Sequence, residues 1–162
     1  MLARMDQGPK MEIKPVNISE LVSDAVESAR AAAPGHPIEL TSGNDIYALG
    51  DANRIHQVVA NLLANARVHT PVGTNINVSV NQSDAEVQVV VSDNGPGLSE
   101  KDREKIFERF YRVDPSRTRT SEEGSGLGLS IVDAVMRAHG GHVSVDSKLG
   151  EGATFTLHFP LN

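Results

Sequence analysis

Four short runs hold most of the side chains in this sequence that could do chemistry. Asn61 and Asn65 stand four apart in Asn61-Leu62-Leu63-Ala64-Asn65-Ala66, so on a helix they share a face. Taken alone, such a pair is an ordinary solvated helix face. Asp93-Asn94-Gly95-Pro96-Gly97 sets one carboxylate among turn-forming residues, and its simplest reading is a turn. Gly124-Ser125-Gly126-Leu127-Gly128-Leu129 is a glycine-rich loop entering a helix; bare N–H groups and a helix N-terminus attract anions, phosphate above all. Its spacing is neither the dinucleotide-fold fingerprint after a strand nor a P-loop, which needs Gly-Lys followed by Ser or Thr. Phe107-Glu108-Arg109-Phe110-Tyr111-Arg112 gathers three of the chain's four Phe and two Tyr. Gly150-Glu151-Gly152-Ala153-Thr154-Phe155 echoes the glycine loop and alone would be a hairpin turn. With no cysteine, thiolate nucleophiles, disulfides and cysteine–zinc sites are excluded.

These runs need elements to hold them. Asn17 with Glu20 three residues on makes a good helix start, after a short strand at Met11–Lys14. Ile18, Leu21, Val22, Ala25, Val26 and Ala29 keep helical spacing to about Ala32, and Pro34-Gly35 ends it. Pro37–Thr41 and Asp45–Leu49 read as a hairpin across Ser42-Gly43-Asn44. Asp51 caps a second helix running to about Arg67, whose stripe is Ile55, Val58, Val59, Leu62, Leu63 and Ala66. Asn61 and Asn65 lie beside that stripe. Asn75–Gln82 and Ala85–Asp93 alternate apolar and polar residues, which predicts an antiparallel pair with one covered face. Ser99 opens a short helix to about Phe107, and Gly128–Ala138 forms another. Strands at His142–Ser147 and Ala153–Phe159 close the order. Such an order predicts an α+β, two-layer sandwich: one sheet with helices over one face.

The chain has 162 residues, 39% hydrophobic and 22% charged. That is the size of about one domain, and too apolar for a disordered chain. A net charge of −6 argues against nucleic acid, which requires a basic footprint. No apolar run approaches a membrane span, and no signal peptide opens the chain.

In this order the motifs are far more specific than singly. The sequence resembles the catalytic, ATP-binding domain of bacterial sensor histidine kinases, in the family that includes gyrase-type and Hsp90-type ATPases. The four runs and the Gly150–Phe155 echo match the family's asparagine box, its phenylalanine box and its three glycine boxes, over about residues 11–160. The resemblance implies the Bergerat fold, a mixed, mostly antiparallel sheet covered on one face by three helices. Residues 1–10 then match the tail of a preceding dimerisation helix, or a cloning remnant. It implies ATP and Mg²⁺ as ligands, with Asn65 binding the metal. One amide oxygen plus phosphates suits an ion that keeps several waters. Asp93 would accept the adenine amino proton; a carboxylate there can only accept, which refuses guanine. Catalytic roles fall to Asn61 and to Arg112, the latter on the terminal phosphate. Nucleotide contacts are implied for Asn61, Asn65, Arg67, His69, Asp93, Gly95, Gly97, Arg112, Gly124, Ser125, Gly126, Leu127, Gly128, Leu129 and Thr154. Gly95 and Gly97 would let backbone approach the base. Residues 112–127 would be the ATP lid, with no apolar anchor in Asp114–Gly124. Phe107 and Phe110 would be the docking edge for the kinase's own helical domain.

Two departures sharpen this. Where many relatives carry Lys then Tyr or Phe, this chain has Val68 and His69; Arg67 is the candidate substitute for the lysine. His69 reads equally as a nucleotide neighbour or as a helix C-terminal histidine favourable with the dipole. None of the six histidines has the acceptor-histidine setting, so the phospho-acceptor must be supplied by another domain, with a response regulator downstream. A free-standing ATPase would carry a glutamate where Asn61 stands, as would most serine kinases of the family; Asn61 cannot act as a base. A non-catalytic docking module would not need Asn65, Asp93 and every glycine intact. The expectation is therefore a monomeric cytoplasmic fragment of a membrane-anchored histidine kinase.

Overall fold

The structure is a computed structural model that describes residues 11–161 except 33, 44 and 109–127. Residues 1–10, Arg112, Phe110, Gly124, Ser125, Gly126, Leu127 and the 112–127 lid assignment lie outside the described residues. In chain order the elements are β1 (Lys14–Asn17), α1 (Ile18–Ala32), β2 (Ile38–Ser42), β3 (Tyr47–Gly50), α2 (Ala52–Val68), β4 (Ile76–Gln82), β5 (Glu86–Asp93), α3 (Glu100–Lys105), α4 (Gly128–Ala138), β6 (His142–Ser147) and β7 (Ala153–Pro160).

Five strands form a mixed sheet in the order β2-β4-β5-β7-β6. Only β2–β4 is parallel; the remaining pairs are antiparallel. Alternation decides the covered face. Ile76, Val78 and Val80 of β4, Val87, Val89 and Val91 of β5, and Phe155, Leu157 and Phe159 of β7 are buried, and register brings them side by side. Over them lie α1, α2 and α4, through Val22 and Val26, Leu62 and Val59, and Val132 and Met136. The short α3 buries none of its residues. The three-helix layer over a mostly antiparallel sheet matches the expected sandwich.

Helix starts follow the capping expectations. The side chain of Asn17 accepts the Glu20 N–H at 3.1 Å. Asp51 caps α2, its Oδ1 accepting the N–H groups of Asn53 at 3.0 Å and Arg54 at 3.2 Å.

The expected β2–β3 hairpin does not form. β3 pairs instead with β1, Val16 opposite Ala48, in a separate two-stranded ribbon, so the described residues form two sheets rather than one. β1 also begins at Lys14, where the sequence suggested a strand at Met11–Lys14. The connecting loop is captured by the start of α1. Ser19 Oγ donates to the Gly43 carbonyl at 2.8 Å, the Ile46 N–H donates back to that hydroxyl at 3.2 Å, and the Ile18 N–H donates to the Ile46 carbonyl at 2.7 Å. Asp45, at a φ of 57°, turns the chain away from β2. That leaves β2 free to take the parallel place beside β4.

Candidate functional site

At one end of the sandwich the C-terminal half of α2 faces the ends of β5 and β7. The apolar stripe of α2 is spent on the sheet and α1, which leaves Asn61 and Asn65 on its flank. Asn61 Nδ2 donates to the Gly128 carbonyl at 3.3 Å, tying α2 to the first residue of α4. Asn65 lines a cleft of about 350 Å³ together with His69, Thr70, Asp93, Leu98 and Phe155. The Asn65 carbonyl accepts the His69 N–H at 3.1 Å, where α2 ends. His69 is thus both the C-cap of the helix and a wall of the cleft.

Asp93 holds the polar end of that cleft. Continuing the alternation of Val87, Val89 and Val91, it takes the core-facing place at the end of β5, with Ile76 and Ala153 as its strand partners. Its Oδ1 accepts the Gly95 N–H at 2.9 Å. Burial pushes its carboxyl above the ordinary aspartate range, opposed by the N–H groups of Gly95 and Ala153 and by nearby His69. Leu98, Ile106, Ala153 and Phe155 give the cleft apolar walls. A flat apolar slot ending in a half-buried acceptor suits an aromatic ring that carries an amino donor.

The glycine loops are knitted to each other. A Cβ at Gly97, whose φ is +75°, would lie 2.2 Å from the Lys148 carbonyl oxygen; one at Gly152, φ +89°, would lie 2.0 Å from the Asp93 carbonyl oxygen. Ser147 Oγ accepts the Leu98 N–H and donates to the Gly152 carbonyl, both at 2.7 Å. The Gly150 N–H reaches the Pro96 carbonyl at 2.7 Å. The crowding at Gly97 therefore comes from the 148–152 turn, where the sequence suggested room for a base. Gly95 lies against Thr70, whose Cγ2 would be 2.5 Å from an added Cβ.

The cleft brings together Asn65, His69, Asp93 and Gly97, with Gly95 beside it; Asn61, Gly128 and buried Leu129 adjoin it through the start of α4. Two expected contacts do not belong to it. Arg67 lines a groove between α1 and α2; two positions past Asn65 it points about 200° around the helix, away from the cleft. Thr154 faces the outer side of the sheet, its Oγ1 3.1 Å from Ser92 Oγ; period-two alternation gives the cleft position to Ala153. Phe107 packs edge-on against Phe155, ring centres 6.1 Å apart, so it backs the cleft wall. Sequence reasoning missed Thr70, Pro96, Leu98, Ile106, Ala153 and Phe155 as lining. Counting back by twos from Phe159 and Leu157 would have found the last two. Among the described residues no cluster of three or more His, Asp or Glu could hold a metal ion, and no helix is long and apolar enough to cross a membrane.

Comparison with known proteins agrees with this fold. Residues 50–162 match the family described as histidine kinase-, DNA gyrase B- and HSP90-like ATPase. The chain is 44% identical to the probable sensor histidine kinase TcrY of Mycobacterium tuberculosis, over 100% of this chain and 34% of that protein. It is 35% identical to the sensor-like histidine kinase SenX3 of Mycolicibacterium smegmatis, over 98% of this chain and 42% of the other. The chain thus spans between a third and a half of these curated relatives. Among solved structures, the mycobacterial sensor histidine kinase MprB superposes with a TM-score of 0.81 at 31% identity, covering 91% of this chain and 97% of that one. Full-length ShkA in complex with AMPPNP gives 0.77 at 29% identity, covering 94% of this chain and 32% of that one.

Proposed function

The chain belongs to the histidine kinase-, DNA gyrase B- and HSP90-like ATPase family, and from that premise we propose that it is the ATP-binding catalytic domain of a two-component sensor histidine kinase. It binds Mg-ATP, and the γ-phosphate passes to a histidine of a separate helical domain that serves as its partner. The observation that carries this reading is Asp93: a lone carboxylate kept half-buried at the end of an apolar cleft, opposite Asn65 on α2.

Asp93 accepts the amino group of adenine, and Gly95 fixes the carboxylate by donating to its Oδ1. Leu98, Ile106 and Phe155 exclude water from the ring faces. Asn65 offers an amide oxygen to Mg²⁺, which when bound neutralises charge on the phosphates. Asn61 holds the start of α4 through Gly128, and so holds the point where the 112–127 lid re-enters the fold. Arg112 and Gly124–Gly128 grip the terminal phosphates, as the resemblance implies. With an amide rather than a glutamate at position 61, the chain lacks a base to activate water there and holds ATP for transfer instead of hydrolysing it. The full-length protein is anchored in the membrane with this domain in the cytoplasm, and a response regulator takes the phosphoryl group onward.

Calorimetric titration with non-hydrolysable ATP and GTP analogues, with and without Mg²⁺, tests the reading. ATP analogue should bind, GTP analogue at least tenfold more weakly, since refusing a donor–acceptor swap in a dry site is worth about 1.5–3 kcal/mol. Equal affinity for the two would sink the assignment of Asp93.

A further inference from the structure

Successive residues of the loop between α1 and β2 are bonded to the segment that follows α2. The Gly35 carbonyl accepts the Gly73 N–H at 2.8 Å, and the Pro37 carbonyl accepts the Ile76 N–H at 2.9 Å. Between them His36, 6% exposed, places Nε2 3.0 Å from Thr70 Oγ1 and 3.2 Å from the Thr70 carbonyl oxygen. A carbonyl can only accept, so Nε2 carries the hydrogen and His36 is the donor. The sheet sets the height of this loop, because β2 begins at Ile38, directly opposite Ile76 in the parallel pair. His36 is therefore a brace of fixed position, reaching across 34 positions of chain to the end of α2.

Thr70 is where that brace meets the cleft, which it lines. Its hydroxyl donates to the Ala66 carbonyl at 2.6 Å and accepts from His36, so the side chain is held in one rotamer from two sides. With the oxygen committed to those partners, Thr70 presents its Cγ2 methyl to the backbone of Gly95, 2.5 Å from where a Cβ there would stand. Gly95 in turn donates to Asp93 Oδ1 at 2.9 Å. Two hydrogen bonds and one methyl contact thus join a histidine outside the cleft to the carboxylate inside it.

We propose that His36 is a positioning residue for nucleotide selection: through Thr70 it holds the Gly95 turn, and with it the Asp93 carboxylate, in the arrangement that receives an amino donor. Its role in selection rests on the nucleotide reading of the cleft; its hold on Thr70 and Gly95 does not. In the braced arrangement Gly95 already aims the carboxylate, so loss of the brace adds arrangements of Thr70 and the turn in which it is not aimed. Affinity then falls in proportion to the fraction still aimed. A merely structural histidine behaves differently. Its loss lowers the melting temperature and leaves the affinity and base preference of the folded protein alone.

The test uses two amides that differ by one methylene. A glutamine amide reaches about as far as imidazole Nε2 and can donate to Thr70; an asparagine amide reaches only about as far as Nδ1. His36→Asn should bind ATP analogue at least about fivefold more weakly than the wild type, by calorimetry at a temperature where both are folded, with a smaller preference over GTP analogue. The Gly95 amide resonance should move in that variant without nucleotide. His36→Gln should return affinity to within about twofold of the wild type, and the Gly95 resonance with it. In the wild type, the Nε2 proton of His36 should give a slowly exchanging side-chain resonance that moves when ATP analogue is added. His36→Asn that melts lower yet binds as the wild type does, or His36→Gln that binds no better than His36→Asn, would overturn the proposal. So would an Nε2 proton resonance that ignores nucleotide, a result that stands even if neither variant folds. Equal binding of ATP and GTP analogues by the wild type would count against the nucleotide reading, whereas the Gly95 resonance, read without nucleotide, tests the brace alone.

Discussion

Asp51 and Asp93 are the same residue used in opposite ways at the two ends of the sandwich. Asp51 sits at the start of α2, only partly exposed, with both oxygens committed: Oδ1 to the helix N–H groups, Oδ2 to the Glu12 N–H at 2.9 Å. Its own N–H donates to His139 Nε2 at 3.0 Å, which latches α2 to the end of α4. Those donors, Glu12 first, hold its carboxyl below the ordinary range. Asp93 is half-buried and pushed the other way, with burial the dominant cause. A carboxylate that spends all its acceptors within the chain stabilises the fold. One that is desolvated while facing a cleft costs stability, and that cost is what a ligand with a donor can relieve.

Breaking the site end should give the largest effect. Asp93→Ala should lower ATP-analogue affinity by at least about tenfold, the loss of a charged hydrogen bond in a desolvated site, with thermal stability of the free protein unchanged or raised. Calorimetry and a thermal melt on the same sample separate the two. A large loss of stability with affinity retained would reverse the roles of the two aspartates. Gly97→Ala should fail differently. Its φ of +75° and the 2.2 Å approach to the Lys148 carbonyl put strain of about 1–3 kcal/mol into the turn that seats Asp93, so melting temperature and nucleotide affinity should fall together.

At the structural end the effect is smaller and confined to stability. Asp51→Ala removes a helix cap, about 1 kcal/mol, and should lower the melting temperature by about 2–4 °C. ATP-analogue affinity should be unchanged. An affinity loss comparable to that of Asp93→Ala would mean that the α2 N-terminus and the cleft are not independent.

The two ends also differ in how readable they are from sequence. Asp51 and Asn17 announce themselves because capping is local: the partner N–H groups lie two or three residues away. Asp93 is legible for a related reason, since the valine alternation of β5 fixes which face it must take. Thr154 was one residue off because the glycine motif, rather than the alternation through Phe155 and Leu157, set its assignment. Arg67 failed on helix geometry, which places it on the groove side of α2. The β2–β3 hairpin failed for a different reason. Ser42-Gly43-Asn44 permits a hairpin, but Ser19, far away in sequence, binds the loop first, and no local pattern records that. Nor does any local pattern record the meeting of His36 with Thr70 across 34 positions.

The finest test of the comparison is the pH dependence of unfolding in the nucleotide-free chain. For Asp51 the folded pKa is lowered, so its contribution is present above the unfolded value and is lost as pH falls through the folded one. For Asp93 the folded pKa is raised. The folded state then favours the protonated carboxyl, and the contribution is fully present below the unfolded value and lost as pH rises through the folded one. Asp93→Asn, which removes that charge while keeping the shape, should therefore melt slightly above the wild type at pH 7, with the gap closing as the pH falls through the raised folded value toward about 4, the ordinary carboxylate pKa. Asp51→Asn should show the opposite: any gap below the wild type is widest at pH 7 and closes on acidification. Nearby His69 opposes the rise at Asp93, so His69→Gln should widen the Asp93→Asn gap. Parallel pH curves for the two asparagine variants would mean that the two aspartates sit in equivalent environments, and would remove the physical ground for assigning ligand binding to one of them.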